Sequence, residues 1–166
     1  MKTFLILAIL VLTGFVAKAQ SDDELIKITL QNYLDGGANG DTARLNRAFY
    51  PTANLRSLKD GRVTSTPVRE FIGRTPQGGA KWNGRIVSYS YLNTAGSAVL
   101  EMELESFKFV DFLSLMKIGS DWKIVSRVFT RADKDQTITS FGGGKTSGTQ
   151  KKPVAKPKPK SDDGWE

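Results

Sequence analysis

The chain has 166 residues, 24 of them Lys or Arg and 17 Asp or Glu, with neither Cys nor His and a formal net charge of +7. That length suffices for one domain with a real core, while the missing Cys and His exclude disulfides, thiolate metal sites and His-based proton transfer and argue against zinc. Between Gln20 and Phe141 there are 16 basic and 14 acidic residues, a balance of about +2 with no basic stripe interleaved with aromatics, so this stretch is not expected to bind nucleic acid.

The first segment, MKTFLILAILVLTGFVAKAQ, combines Lys2, an apolar run from Phe4 to Val16 and the small-x-small triplet Ala17-Lys18-Ala19. This pattern predicts a signal peptide over residues 1–19, cleavage near Ala19, and a mature chain exported to a periplasm or secreted. The apolar run is shorter than the roughly 20 residues of a membrane span, which disfavours an uncleaved anchor. No Cys follows it for lipid attachment.

Ser21 and Glu24 form a capping box that opens a first helix. Ile26, Leu30, Tyr33 and Leu34 fall on one face of it, and Gly36-Gly37 is predicted to end it. Asp41 is the predicted N-cap of a second helix with Leu45, Ala48 and Phe49 as its apolar stripe and Pro51 just beyond. A hairpin is expected around Asp60-Gly61, a type I′ turn signal. Pro67 then starts a short third helix through Val68–Gly73, followed by the loop TPQGG.

From Arg85 the hydrophobic period changes to two. With Leu92 opposite Ser97, the residues Val87, Tyr89 and Tyr91 share an apolar face with Ala98, Leu100, Met102 and Leu104. Glu101, Glu103 and Glu105 then form a row on the wet face, exposed or meeting basic side chains across a dimer contact. FVDFLSLMKI and WKIVSRVFTR form a second long hairpin around Gly119-Ser120-Asp121. Residues 142–166 are rich in Lys, Pro and Gly and read as a disordered tail, a solvated linker that could also touch an acidic cell-envelope surface.

The order of elements, with YLDGGANGDTARLNRAFYPTANL near one end and DFLSLMKIGSDWKIVSRVF near the other, resembles the nuclear transport factor 2-like superfamily and, within it, the Putative lumazine-binding family. The resemblance covers roughly Glu24 to Arg131. It implies an α+β cone in which three N-terminal helices pack on a strongly bent, mainly antiparallel sheet over residues 20–141 and leave a pocket. Tyr50 and Thr130 stand where members often show His, so two potential ligands or proton carriers are missing. The ketosteroid isomerases share this fold. Laid over this chain, their oxyanion-hole tyrosine falls near Tyr33, their oxyanion-hole aspartic acid at Asp111 and their general base at Ser57. A serine cannot take a carbon-bound proton at neutral pH, which argues against isomerase chemistry.

Asp111 lies between Val110 and Phe112 in a strand that is otherwise apolar. If Ile118 pairs with Trp122, Asp111 is opposite Phe129 and diagonal to Arg127, within reach of its guanidinium. Such a partner is expected to keep Asp111 ionised by lowering its pKa. Two readings follow: a partly buried structural pair, or the polar end of a pocket with Tyr33 and walls drawn from Phe49, Trp82 and Tyr89 or Tyr91. No catalytic residue, cofactor or metal is expected. The sequence points to an exported, non-catalytic small-molecule-binding or scaffold domain, with a small aromatic or amphipathic ligand and a homodimer through its sheet as the expected partners. The alternatives are a dehydratase- or isomerase-like enzyme using Tyr33, Asp111 and Arg127, and an envelope-tethered interaction module.

Overall fold

The computed structural model describes residues 20–139; the expected signal peptide and the Lys/Pro-rich tail lie outside them. Helix α1 (Asp22–Asn39) starts with the capping box: the Ser21 hydroxyl accepts from the Glu24 N–H, and the Glu24 carboxylate accepts from the Ser21 N–H. Helix α2 (Thr42–Ala48) is capped by Asp41. Next come strands β1 (Phe49–Lys59) and β2 (Arg62–Pro67), helix α3 (Val68–Gly73), and strands β3 (Asn83–Leu92), β4 (Ala95–Glu103), β5 (Lys108–Ile118) and β6 (Asp121–Ala132).

The six strands form one sheet in the order β2-β1-β6-β5-β4-β3. Every neighbouring pair is antiparallel except β1 with β6, which run parallel. The β1–β2 turn has Asp60 and Gly61 both at positive φ, the geometry of a type I′ turn. Register shifts interrupt β1, β3 and the β5–β6 ladder, and such bulges bend strands and raise their twist. The helices cover one face. Ile26, Leu30 and Tyr33 of α1 meet Leu100, Leu113 and Trp122 of the sheet, all of them buried. Fully burying such side chains contributes about 1.5–3 kcal/mol each, which is what holds helix to sheet.

Four expectations need correction. Helix α1 does not end at Gly36-Gly37; it runs on to Asn39 and is closed by Gly40 in the left-handed conformation. The two glycines serve close packing instead. A Cβ on Gly37 would lie 2.1 Å from the Trp82 ring, and one on Gly36 3.0 Å from Leu45. Phe49 leaves α2 to open β1, where it pairs with Ile124.

The third concerns register: Leu92 pairs with Ala95, not Ser97, because the β3–β4 turn has only two residues, with Asn93 at positive φ. The irregularity at Val87 turns that residue outward, so Ile86 rather than Val87 packs against the core. Ile118 likewise pairs with Asp121 rather than Trp122, but the shift between Ser114 and Leu115 adds one residue on β6 and restores Asp111 opposite Phe129.

Finally, Glu101 of the acidic row is not exposed, and it and Glu103 find cations within the chain, while Glu103 and Glu105 are exposed as expected. Glu101 is buried, accepting from Lys108 Nζ at 3.2 Å and from Arg85, while Glu103 meets Lys134 at 2.6 Å. The middle of that outer face is instead apolar: Val99 lies opposite Phe112 and Phe112 opposite Val128. Phe112, Met116 and Val128 are 46, 46 and 50 % exposed there.

Candidate functional site

Three elements converge on one carboxylate. Tyr33 comes from the buried face of α1, Asp111 from the middle of β5 and Arg127 from the inner face of β6. Arg127 Nε donates to Asp111 Oδ2 at 2.5 Å, and Nη2 donates to Oδ1 at 2.9 Å. The Tyr33 hydroxyl donates to Oδ2 at 2.7 Å. Asp111 is 0 % and Arg127 5 % exposed.

A guanidinium has only donors, so both of its bonds require Asp111 to accept, and the Tyr33 hydroxyl donates a third, an arrangement that suits a carboxylate. Burial nevertheless pushes the Asp111 carboxyl above its ordinary value, with the Arg127 charge and then the Arg127 and Tyr33 bonds pulling back. The expected lowering is therefore overturned by desolvation, which acts on every charge removed from water. Burial also raises the Tyr33 phenol well above its usual range, so it stays a neutral donor.

In front of Arg127 lies a cavity of about 260 Å³. Its walls are Leu55 of β1, Phe71 of α3, Phe129 of β6 and Trp82. The Arg127 guanidinium stacks 4.0 Å from the Phe129 ring centroid and 5.7 Å from that of Phe71, within the range of cation–π attraction. Thr66, Thr75 and Arg74 complete the polar edge, and Arg74 is held by Glu70 at 2.5 Å.

The lip of the cavity is the segment between α3 and β3, and it is fastened to the end of α1. Ala80 N–H donates to the Gly37 carbonyl at 2.9 Å and Lys81 N–H to that of Ala38 at 3.2 Å. Both acceptors belong to the last helical turn, whose carbonyls have no partner within the helix. Trp82 Nε1 adds a bond to the Leu34 carbonyl at 2.9 Å. Since Gly37 has no side chain, the edge of the Trp82 indole approaches the helix closely there and makes a fixed wall.

The sequence candidates divide on this geometry. Trp82 and Arg127 line the cavity. Tyr33 and Asp111 stand behind Arg127 and hold it. Phe49 is buried in an aromatic cluster, its ring 5.0 Å from Tyr33 and 6.0 Å from Phe71. Tyr89 lies apart: its hydroxyl donates to Asp23 and its ring faces Lys27 across a shallow groove beside α1. Tyr91 packs on Trp122. Neither is a wall of this cavity.

Ser57, the position matched to an isomerase base, hydrogen-bonds Thr64 and is not part of the lining. Phe71 and Phe129 were missed by sequence reasoning, although Phe129 was legible as the residue opposite Asp111. Among the described residues no cluster of acidic side chains is arranged to hold a metal ion.

Comparison with known proteins places this architecture. The chain is similar to a protein named Aldolase FrzH from Cladobotryum sp, at 22 % identity over 113 residues that cover 66 % of this chain and 90 % of that protein. Among solved structures it is similar to an NTF2-like protein of unknown function from Shewanella baltica, with TM-score 0.60 and 23 % identity over 68 % of this chain and 94 % of that one. Another, from Methylobacillus flagellatus, gives TM-score 0.57 and 26 % identity over 66 % of this chain and 93 % of that one. These likenesses establish the α+β cone of the nuclear transport factor 2-like fold. Residues 21–130 match the family described as Putative lumazine-binding, and the chain belongs to that family.

Proposed function

We propose that this protein is a non-catalytic small-molecule-binding domain whose ligand enters the cavity in front of Arg127. One observation carries the reading: the cavity has aromatic and aliphatic walls, and the ionisable groups that line it are two guanidiniums, Arg74 and Arg127. Neither accepts a proton at neutral pH, and the Asp111 carboxylate behind Arg127 is fully covered. A binding pocket needs apolar walls and a few fixed polar groups; general-base catalysis needs a carboxylate or imidazole within reach of the substrate. The cavity supplies the first and lacks the second. Its volume equals about nine waters of liquid at about 30 Å³ each, room for one or two fused rings.

The name of the Cladobotryum relative raises an aldolase-like reading. No lysine lines the cavity for a Schiff base, so binding is favoured over catalysis. The leader pattern supports export, with the basic tail as a contact for acidic envelope surfaces. The apolar patch of Phe112, Met116 and Val128 supports homodimerisation through the outer face of the sheet.

Native mass spectrometry of the purified protein, compared with its denatured spectrum, tests the reading. A bound mass of small-molecule size that disappears on denaturation is the expected result. An empty protein that also takes up none of a library of flat ring compounds overturns it.

A further inference from the structure

The guanidinium of Arg127 is only partly used by the protein. Its Nε–H and one N–H of Nη2 go to Asp111, whereas Nη1 has no hydrogen-bond partner among the described residues. Yet no side-chain nitrogen or oxygen among them is both unpartnered and sealed off. Nη1 therefore reaches open space, and the open space beside Arg127 is the cavity. A side chain that is 5 % exposed thus presents fixed N–H donors to whatever fills that space.

The charge behind those donors is already balanced. Asp111 grips the guanidinium on two nitrogens, and Tyr33 holds the carboxylate in place. An incoming carboxylate would leave the site with one negative charge in excess between apolar walls, a costly arrangement. Arg74 offers little relief, because it is paired with Glu70 and its side chain is largely in water. An ammonium group would meet N–H donors and no acceptor of opposite charge. A neutral carbonyl oxygen accepts from Nη1 without disturbing the balance, while its ring lies against Phe71, Trp82 and Phe129.

We propose that the cavity binds neutral flat ring compounds through one carbonyl oxygen accepting from Arg127 Nη1, and that the Asp111 counter-charge makes it reject the matching carboxylates. This rests on the binding reading above and adds the chemical class of the ligand. Asp111 and Tyr33 act as positioning residues, touching Arg127 rather than the ligand.

Three compounds of similar shape test it: quinolin-2-one, quinoline and quinoline-2-carboxylate, each titrated into the full chain and followed by the Trp82 indole N–H resonance. Quinolin-2-one is expected to bind at least about tenfold more tightly than the carboxylate, and more tightly than quinoline. Asp111→Asn leaves the guanidinium charge uncompensated and should reverse the order, with the carboxylate now preferred. If that variant does not fold by circular dichroism, the double variant Asp111→Leu/Arg127→Met should bind quinoline and quinolin-2-one equally. Wild-type protein that binds the carboxylate as tightly as quinolin-2-one overturns the selectivity while leaving the cavity a binding site. A Trp82 resonance that moves with none of the three overturns the binding reading itself, and this proposal with it.

Discussion

Arg127 and Asp111 sit diagonally across the β5–β6 ladder and are joined by two hydrogen bonds, 2.5 and 2.9 Å long, with both side chains out of water. Removing one member strands the other. Asp111→Ala is expected to destabilise the domain by about 3–5 kcal/mol, the usual cost of an uncompensated buried charge. Asp111→Leu/Arg127→Met removes both charges together and should cost much less. Urea denaturation of the three proteins measures both; equal losses in single and double variants would show that the pair is not coupled.

Gly37→Ala should lower stability by about 1–3 kcal/mol, the range for overpacking a filled site. The added methyl group would meet the Trp82 ring at 2.1 Å, so the indole must lift and release the Leu34 carbonyl. Near-ultraviolet circular dichroism reports the displaced tryptophan, and ligand affinity should fall with it. An unchanged spectrum would remove Trp82 as a fixed wall.

Stability should fall on acidification. Lys27 and then Tyr89 hold Asp23 below its usual value, Lys117 and then Trp122 do the same for Asp22, and Lys134 for Glu103. A carboxyl with a depressed folded pKa stabilises above its unfolded pKa and loses that contribution as pH falls through the folded one. The loss should therefore set in below about pH 5, as groups with ordinary values near 4 begin to protonate. Asp111 has the opposite sign: its raised pKa contributes fully below the ordinary value, and that contribution is lost as pH rises through the folded value. Thermal melts between pH 2 and 7 should show a flatter acid limb for Asp23→Asn, and no such flattening for Asp111→Asn.

If the proposed homodimer forms through the outer face, Phe112→Glu or Val128→Lys should convert it to a monomer with little change in folding, since both side chains are about half exposed in the single chain. Light scattering over a range of concentrations reads the mass directly. Wild-type protein that remains monomeric throughout would show that the apolar outer face serves some other purpose.

Much of this architecture is visible in the sequence because its signals are local. Ser21 with Glu24, Asp41, Asp60-Gly61 and Pro67 each fix a cap or turn through their own backbone chemistry, and each stands where expected. The Asp111–Arg127 pairing was legible too, although by a route in which two errors cancel. The turn is one residue tighter than assumed, and the irregularity further along β6 adds the residue back.

What resisted was long-range. Gly36 and Gly37 look like helix stops until Leu45 and Trp82 are packed against them. Tyr89 shares a sheet face with the core, but β3 is the far edge strand, whereas the cavity lies by β1 and β6. Phe71 needs the docking angle of α3, which no short stretch specifies.

The parallel seam between β1 and β6 carries a consequence for how the domain is made. Its earliest strand is stitched to its latest, so the sheet cannot close until the chain has been synthesised through β6. Pairings of such long sequence separation slow folding. Until β6 arrives Asp111 lacks the Arg127 cation, and a nascent chain halted short of Arg127 would display an open edge and an unfinished cavity to whatever surrounds it.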